Sequence, residues 1–289
     1  MRTSKAMVLF PLVYLAAGYA APSPEFEVAT VRPSALEPQG QVQVGLHLDG
    51  AQVRIISWTL RDYIGLAYRM RVSQVLGPDW MHLERFDIAA KIPEGHKTDE
   101  FRQMLQALLR ERFQLKFHKE QREFPVYALV QAKTPLKLTP APPDPQAGDT
   151  PEPLDVAGGG SAAGVNVNLG HGSSWSFVPN RFEAKKLSME VFAENLERFA
   201  DRPIVDKTGL KGQFDFGFDI NPEDYRPMLI RSAIAAGVLL PPQALRLLDG
   251  SSSASLSDAL EKIGLRLEAR KEPLDVIVVD SASKMPTEN

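Results

Sequence analysis

The chain has 289 residues, 44% of them hydrophobic, a formal net charge of −3 and no cysteine. That length and apolar content allow one large or two ordinary domains with real cores. The lack of cysteine excludes disulfides, thiolate metal sites and a cysteine nucleophile, and a mildly acidic chain without a basic block offers no electrostatic footprint for nucleic acid or an anionic membrane.

Arg2 and Lys5 precede an apolar run from Met7 to Ala17, and Gly18-Tyr19-Ala20 places small residues where a signal peptidase reads. The pattern predicts a secretory signal over residues 1–20, cleaved after Ala20. The uncharged run from Ala6 to Pro24 contains Pro11 and is barely long enough to cross a bilayer. No later segment has eighteen uncharged apolar residues in a row. The expectation is an extracytoplasmic protein, periplasmic or secreted, with no membrane span in the mature chain.

Phe26 to Val31 alternates and reads as a strand ended by Pro33. Val42 to Leu48 and Gln52 to Ile56 flank Asp49-Gly50, a hairpin signal. Leu60, Tyr63, Ile64 and Ala67 recur at helical spacing; Val75-Leu76 is a short strand, Gly77-Pro78-Asp79 a turn, and Arg85 to Ile92 a strand. Thr98 is placed to cap a helix with the stripe Phe101, Met104, Leu105, Leu108 and Leu109. Phe113, Leu115 and Phe117 alternate, as do Val126, Ala128 and Val130, with polar Glu120 to Glu123 between them, which predicts a second hairpin closing a unit over residues 21–133.

Residues 134–164 are rich in Pro, Gly, Ala and Asp and read as a linker. Beyond it the order recurs. Val165 to Leu169 and Ser174 to Val178 flank Gly-His-Gly. Ser188 caps a helix with the stripe Met189, Phe192, Ala193, Leu196 and Phe199, and Pro203 stops it. Ile204-Val205 is a short strand, Asp206-Lys207-Thr208-Gly209 a turn, and Phe214, Phe216 and Phe218 alternate with Asp215, Gly217 and Asp219. A helix over Leu256 to Ile263 leads to a hairpin of Leu265, Leu267 and Val276, Val278. The fold class is α+β: two tandem repeats of a β-hairpin–helix–strand–helix–β-hairpin unit, the second over residues 165–289. It carries an insertion, 221–253, whose apolar helix from Arg226 to Leu240 must bury a face or expose a patch.

The residues give little chemistry. His47, His82, His96, His118 and His171 show no helical metal-pair spacing, and neither a nucleophile elbow nor a phosphate loop is present. No catalytic residue, metal site or cofactor is expected. Candidate ligand-binding residues are Asp79 and Trp80 in the first unit's turn, Asp206 and Lys207 in the matching turn of the second, and Asp215 and Asp219 on one face of a strand. Paired carboxylates there could bind a cation or act as acid and base; the plainer alternative is a solvated strand face, with Trp80 packed under a rigid turn.

The series FEVATVRPS, TLRDYIGLAYRM, QVLGPDW, RFDIAAK, MLQALLRERFQLKFHKEQREFPVYALV, RPIVDKTGLKGQFDF and the closing Pro286-Thr287-Glu288-Asn289 covers nearly all of the mature chain. It resembles a family of uncharacterised secreted proteins common in soil bacteria, a domain of unknown function. Some relatives carry the unit on a membrane metallopeptidase resembling the beta-lactam-sensing receptors. Each unit also resembles the short N-terminal domain of secretins and TonB-dependent receptors, an extracytoplasmic interaction module. The resemblance brings no catalytic residues. It implies a non-catalytic binding or protein-interaction module whose partner is an unknown protein or a cell-envelope ligand. The alternative is a secreted hydrolase with an unrecognised carboxylate site, which a cleft of convergent acids between the units would favour.

Overall fold

The computed structural model describes residues 24–35, 42–95, 100–142, 155–161, 164–235, 240–248 and 254–287. The expected signal segment, Thr98 and His96 lie outside the described residues. The fold is mixed α+β. Strand β1 (Val28–Pro33) precedes the hairpin of β2 (Val42–Asp49) and β3 (Gln52–Thr59), which turns through Gly50 at a φ of 57°. Then come α1 (Leu60–Tyr68), β4 (Val75–Leu76), the single turn α2 (Trp80–Leu83), β5 (Arg85–Lys91), α3 (Phe101–Arg112) and β6 (Lys116–Gln131). The rest of the chain forms β7 (Thr139–Pro140), β8 (Asp155–Ser161), β9 (Gly164–Gly170), β10 (Ser173–Val178), β11 (Arg181–Leu187), α4 (Met189–Leu196), β12 (Ile204–Asp206) and β13 (Phe214–Asp219). Helices α5 (Pro222–Ala235), α6 (Pro242–Leu245) and α7 (Ala254–Glu261) and strand β14 (Leu265–Ser281) follow.

Among the described residues, one sheet of ten strands runs β1-β5-β3-β2-β8-β9-β10-β11-β13-β7. Read outward from the β8–β9 hairpin, one side is β2, β3, β5, β1 and the other is β10, β11, β13, β7. The expected linker is thus ordered in part. Residues 143–154 lie outside the described residues, but Thr139–Pro140 pairs with β13, and Asp155–Ser161 pairs with β2 on one edge and β9 on the other. A run of three glycines carries no side-chain alternation, so its strand character comes from these two neighbours rather than from its own composition.

The expected closing hairpins do not form. Strand β6 runs straight through Glu120 to Glu123, and β14 runs straight through Arg270 to Pro273. The two pair antiparallel along their whole length, from Leu265 opposite Gln131 to Ser281 opposite Lys116. Glu-Gln-Arg-Glu lacks the Gly, Asn or Asp that a two-residue hairpin turn needs at positive φ, so nothing folds the strand back. Its polar residues instead form the solvated middle of a two-stranded ribbon, where Pro125 and Pro273 are tolerated because the outer edges are open. Among the described residues, only the ribbon's ends gain a third strand: β4 joins parallel at Ile277 and Val278, and β12 joins parallel at Tyr127, Ala128 and Leu129.

The ribbon links two hydrophobic cores. The first gathers β1, β3, β5, α1 and α3, together with Leu115 just before β6 and Ile277 and Val279 from β14. The second gathers β10, β11, β13, α4 and α7, with Leu265 from β14 and Leu129 from β6. Each half therefore receives a strand segment from the other. The insertion divides: Tyr225 and Met228 of α5 are buried in the second core and Leu229 packs on it, while Ile234, Leu245 and Leu247 are exposed.

Candidate functional site

A cleft lies between α1 and α4, where the two halves meet, with a volume of about 560 Å³. Its first wall is set by how α1 begins and ends. Thr59 and Asp62 form a capping box, the Asp62 carboxylate accepting from the Thr59 amide at 2.8 Å. The helix stops at Arg69 in the left-handed region (φ 55°), and the Met70 amide turns back to the Gly65 carbonyl. A Cβ on Gly65 would lie 2.8 Å from the Met70 oxygen, so glycine permits this close return. The return brings Arg69, Met70, Arg71 and Val72 onto the cleft.

Helix α4 makes the facing wall. Ser188 caps it by accepting from the Val191 amide, and Met189, Phe192, Ala193 and Leu196 bury one face in the second core. The opposite face carries Glu190, Glu194 and Arg198, four residues apart and hence in line, all lining the cleft. Val205 and Leu274 add apolar surface, and Trp58, Asp62 and Arg102 lie on the first wall.

A part-buried ion pair ties the walls together. Arg71 Nη1 donates to Glu197 Oε1 at 3.0 Å and to the Ile204 carbonyl at 2.5 Å; the two side chains are 19% and 15% exposed. Glu197 also accepts from Ser73 Oγ and from the Ile204 amide, both at 3.1 Å. Burial pushes the Glu197 carboxyl up from its ordinary 4.5, against the opposing pull of Arg71 and these hydrogen bonds. Glu194 is exposed on the cleft wall, yet the protein around it displaces enough water to raise it too; Arg71 and Arg198 oppose that shift and Glu190 adds to it. Arg85, which donates to the Ser57 carbonyl, is lowered by burial and by its like-charged neighbour Arg198, with Asp62 acting in the other direction.

The residues singled out from sequence lie elsewhere. Asp79 is exposed at the start of α2, and Trp80 packs half-buried on the first core. Asp206 closes its turn by accepting from the Thr208 amide and hydroxyl, both at 2.8 Å, and Lys207 pairs with Glu272 at 3.2 Å. Asp219 pairs with Arg181 at 2.7 Å on the open strand face. Asp215 accepts from the Lys186 amide at 2.7 Å, where the β11–β13 register slips and Lys186 takes a φ of 47°. The first half has the same device: the register of β3 and β5 slips at Ser57 (φ 59°), whose amide donates to Asp87 at 2.8 Å. Asp215 therefore fastens a β-bulge. These carboxylates do not converge; among the described residues no group of three or more His, Cys, Asp or Glu side chains is placed to hold a metal ion.

Substitution of either bulge aspartate tests this assignment. Asp87→Ala is expected to cost about 2 kcal/mol, because Asp87 also accepts from Ser34 Oγ and is half-buried, and Asp215→Ala about 1 kcal/mol. Urea unfolding checks both. An Asp215→Ala variant as stable as the parent would free that carboxylate for another role.

A model for proteins of unknown function, DUF3738, matches residues 61–282, well over half the chain. The chain belongs to the DUF3738 family. No curated protein and no solved structure matches it. The DUF3738 range contains every cleft-lining residue except Trp58, as well as both members of the Arg71–Glu197 pair. Among its described residues, no helix is long and apolar enough to cross a membrane.

Sequence reasoning passed over Arg71, Glu190, Glu194, Glu197 and Arg198. The only local signal was a charged stripe opposite the apolar stripe of α4, which is also how a solvated helix face reads.

Proposed function

We propose that this DUF3738 protein is a non-catalytic binding module of the cell envelope, made of two copies of one α+β unit, which holds its ligand in the cleft between them. The observation that carries the reading is the cleft itself, formed where the halves meet and lined by side chains of both signs over apolar patches. Binding sites favour such junctions, and its volume suits a small ligand. The duplication is supported by the matching strand order on either side of β8–β9, the paired bulges at Asp87 and Asp215, and the parallel short strands β4 and β12. Extracytoplasmic placement is supported by the signal-like residues 1–20. A hydrolase remains the second reading, because Glu194, raised and beside Glu190, resembles a general acid.

Soluble fragments of digested peptidoglycan separate the two. Added to the full chain, they are expected to shift amide resonances of α4 and of residues 69–74, and to be recovered chemically unchanged. Val72→Trp, at an exposed cleft position, should abolish the shifts without loss of thermal stability. Cleaved fragments would establish the hydrolase. Identical shifts in Val72→Trp would move the ligand elsewhere.

A further inference from the structure

The cleft's charges are ordered along its length. Glu190, Glu194 and Arg198 succeed one another on one face of α4 and its 3-10 extension, so the wall runs from two carboxylates to a guanidinium over about 12 Å. At the guanidinium end Arg198 lies near Arg85, close enough for the two cations to disfavour each other. At the acidic end Glu190 and Glu194 stand one turn apart, close enough for like charge to disfavour both being ionised. Arg71 and Arg198 partly offset Glu194, and Asp62 partly offsets Arg85, yet the face of α4 still offers two exposed carboxylates at one end and an exposed guanidinium at the other, each able to take a ligand group of opposite charge. Between the ends, Leu66, Met70, Val72, Val205 and Leu274 offer apolar surface with no charge to satisfy.

We infer that the cleft binds a short dipolar peptide, its ammonium group against Glu190 and Glu194 and its carboxylate against Arg198 at the Arg85 end. This rests on the cleft being the binding site and specifies what it takes. An extended chain advances about 3.3–3.6 Å per residue, so three residues, at about 10 Å, bring opposite termini to the two ends. A dianion would leave the glutamates facing like charge, and a dication would do the same to the arginines. A ligand carrying both signs, separated by this length, complements the α4 face of the cleft.

The test uses the full chain and four probes: the tripeptide Ala-Ala-Ala, its N-acetyl form, its C-terminal amide, and a tripeptide of the same termini containing D-residues. Binding is read by titration of amide resonances. The free tripeptide is expected to bind, and acetylation and amidation each to weaken it at least tenfold. Glu190→Gln/Glu194→Gln should weaken the free and amidated peptides while leaving the acetylated one unchanged. Arg198→Gln should do the converse. Preference for the all-L probe identifies protein-derived peptide as the source, and preference for the D-containing probe identifies cell-wall peptide; either agrees with the inference. Equal binding of all charge forms, or tightest binding of the acetylated peptide, overturns the dipolar assignment while the cleft stands as the site. Shifts confined to residues outside the cleft overturn both. The glutamates and Arg198 are exposed, so unchanged thermal unfolding of these variants verifies that their folds are intact.

Discussion

Arg71→Ala should lower the stability of the whole chain by about 3 kcal/mol at neutral pH. The substitution removes the charge that compensates Glu197 and the donor to the Ile204 carbonyl, leaving a carboxylate that is 15% exposed with only Ser73 Oγ and one amide as partners. The loss depends on pH in a definite direction. Burial holds the folded-state value of Glu197 above its ordinary 4.5, so the folded chain binds the extra proton, and stability falls as pH rises through the folded value. Without Arg71 that value climbs further. The deficit of Arg71→Ala is therefore greatest at neutral pH and shrinks as pH falls toward 4.5. Urea unfolding at several pH values measures it. The double variant Arg71→Met/Glu197→Met should recover most of the stability, since no unpaired charge remains. A deficit independent of pH, or a double variant as poor as the single, would show that the pair contributes by packing alone.

Leu129→Ala and Ile277→Ala should each cost about 3 kcal/mol, and each should loosen the half opposite to the one that encodes it. Both side chains are fully buried, and truncating such residues typically costs this much. Leu129 follows α3 in sequence yet packs in the core of α4 and α7; Ile277 follows α7 yet packs in the core of α1 and α3. Hydrogen exchange is therefore expected to accelerate first in α4, β12 and α7 for Leu129→Ala, and in α1 and α3 for Ile277→Ala. Because each core holds a strand segment of the other half, unfolding should remain a single transition in both variants. Acceleration in the encoding half, or two separated transitions, would contradict the exchange of strands.

The contrast between the ribbon and the first hairpins shows what kind of information the residues carry. Gly50 and Gly170 to Gly172 were legible as turns because their chemistry is local: positive φ favours glycine, and the flanking alternation marks the strands. The stripes of α1, α3 and α4 were legible for the same reason. Phe113 to Phe117 and Val126 to Val130 alternate identically whether the partner is the next segment or one about 150 residues away, so period alone did not choose between a hairpin and an exchanged ribbon. Phe86-Asp87-Ile88 and Phe214-Asp215-Phe216 are alike in sequence, but the register slips that give both aspartates their task arise only when β3 and β11 pair with them. The cleft was hidden for a related cause. Glu190, Glu194 and Arg198 form a wall only once Arg71 reaches Glu197 across 126 positions of sequence.

The exchanged ribbon also sets a clock on biosynthesis. The first core needs Ile277 and Val279 beside Leu115, so it stays open until the ribosome has added about 160 further residues. At roughly 5–20 residues per second that interval is on the order of 10–30 s, during which α1, α3 and β5 present apolar surface with no strand to cover it. The usual order, in which an N-terminal unit folds while its successor is still being made, is barred to this chain. Neither half can finish before the other has been translated, and closure of the two cores becomes one late, concerted event with high contact order.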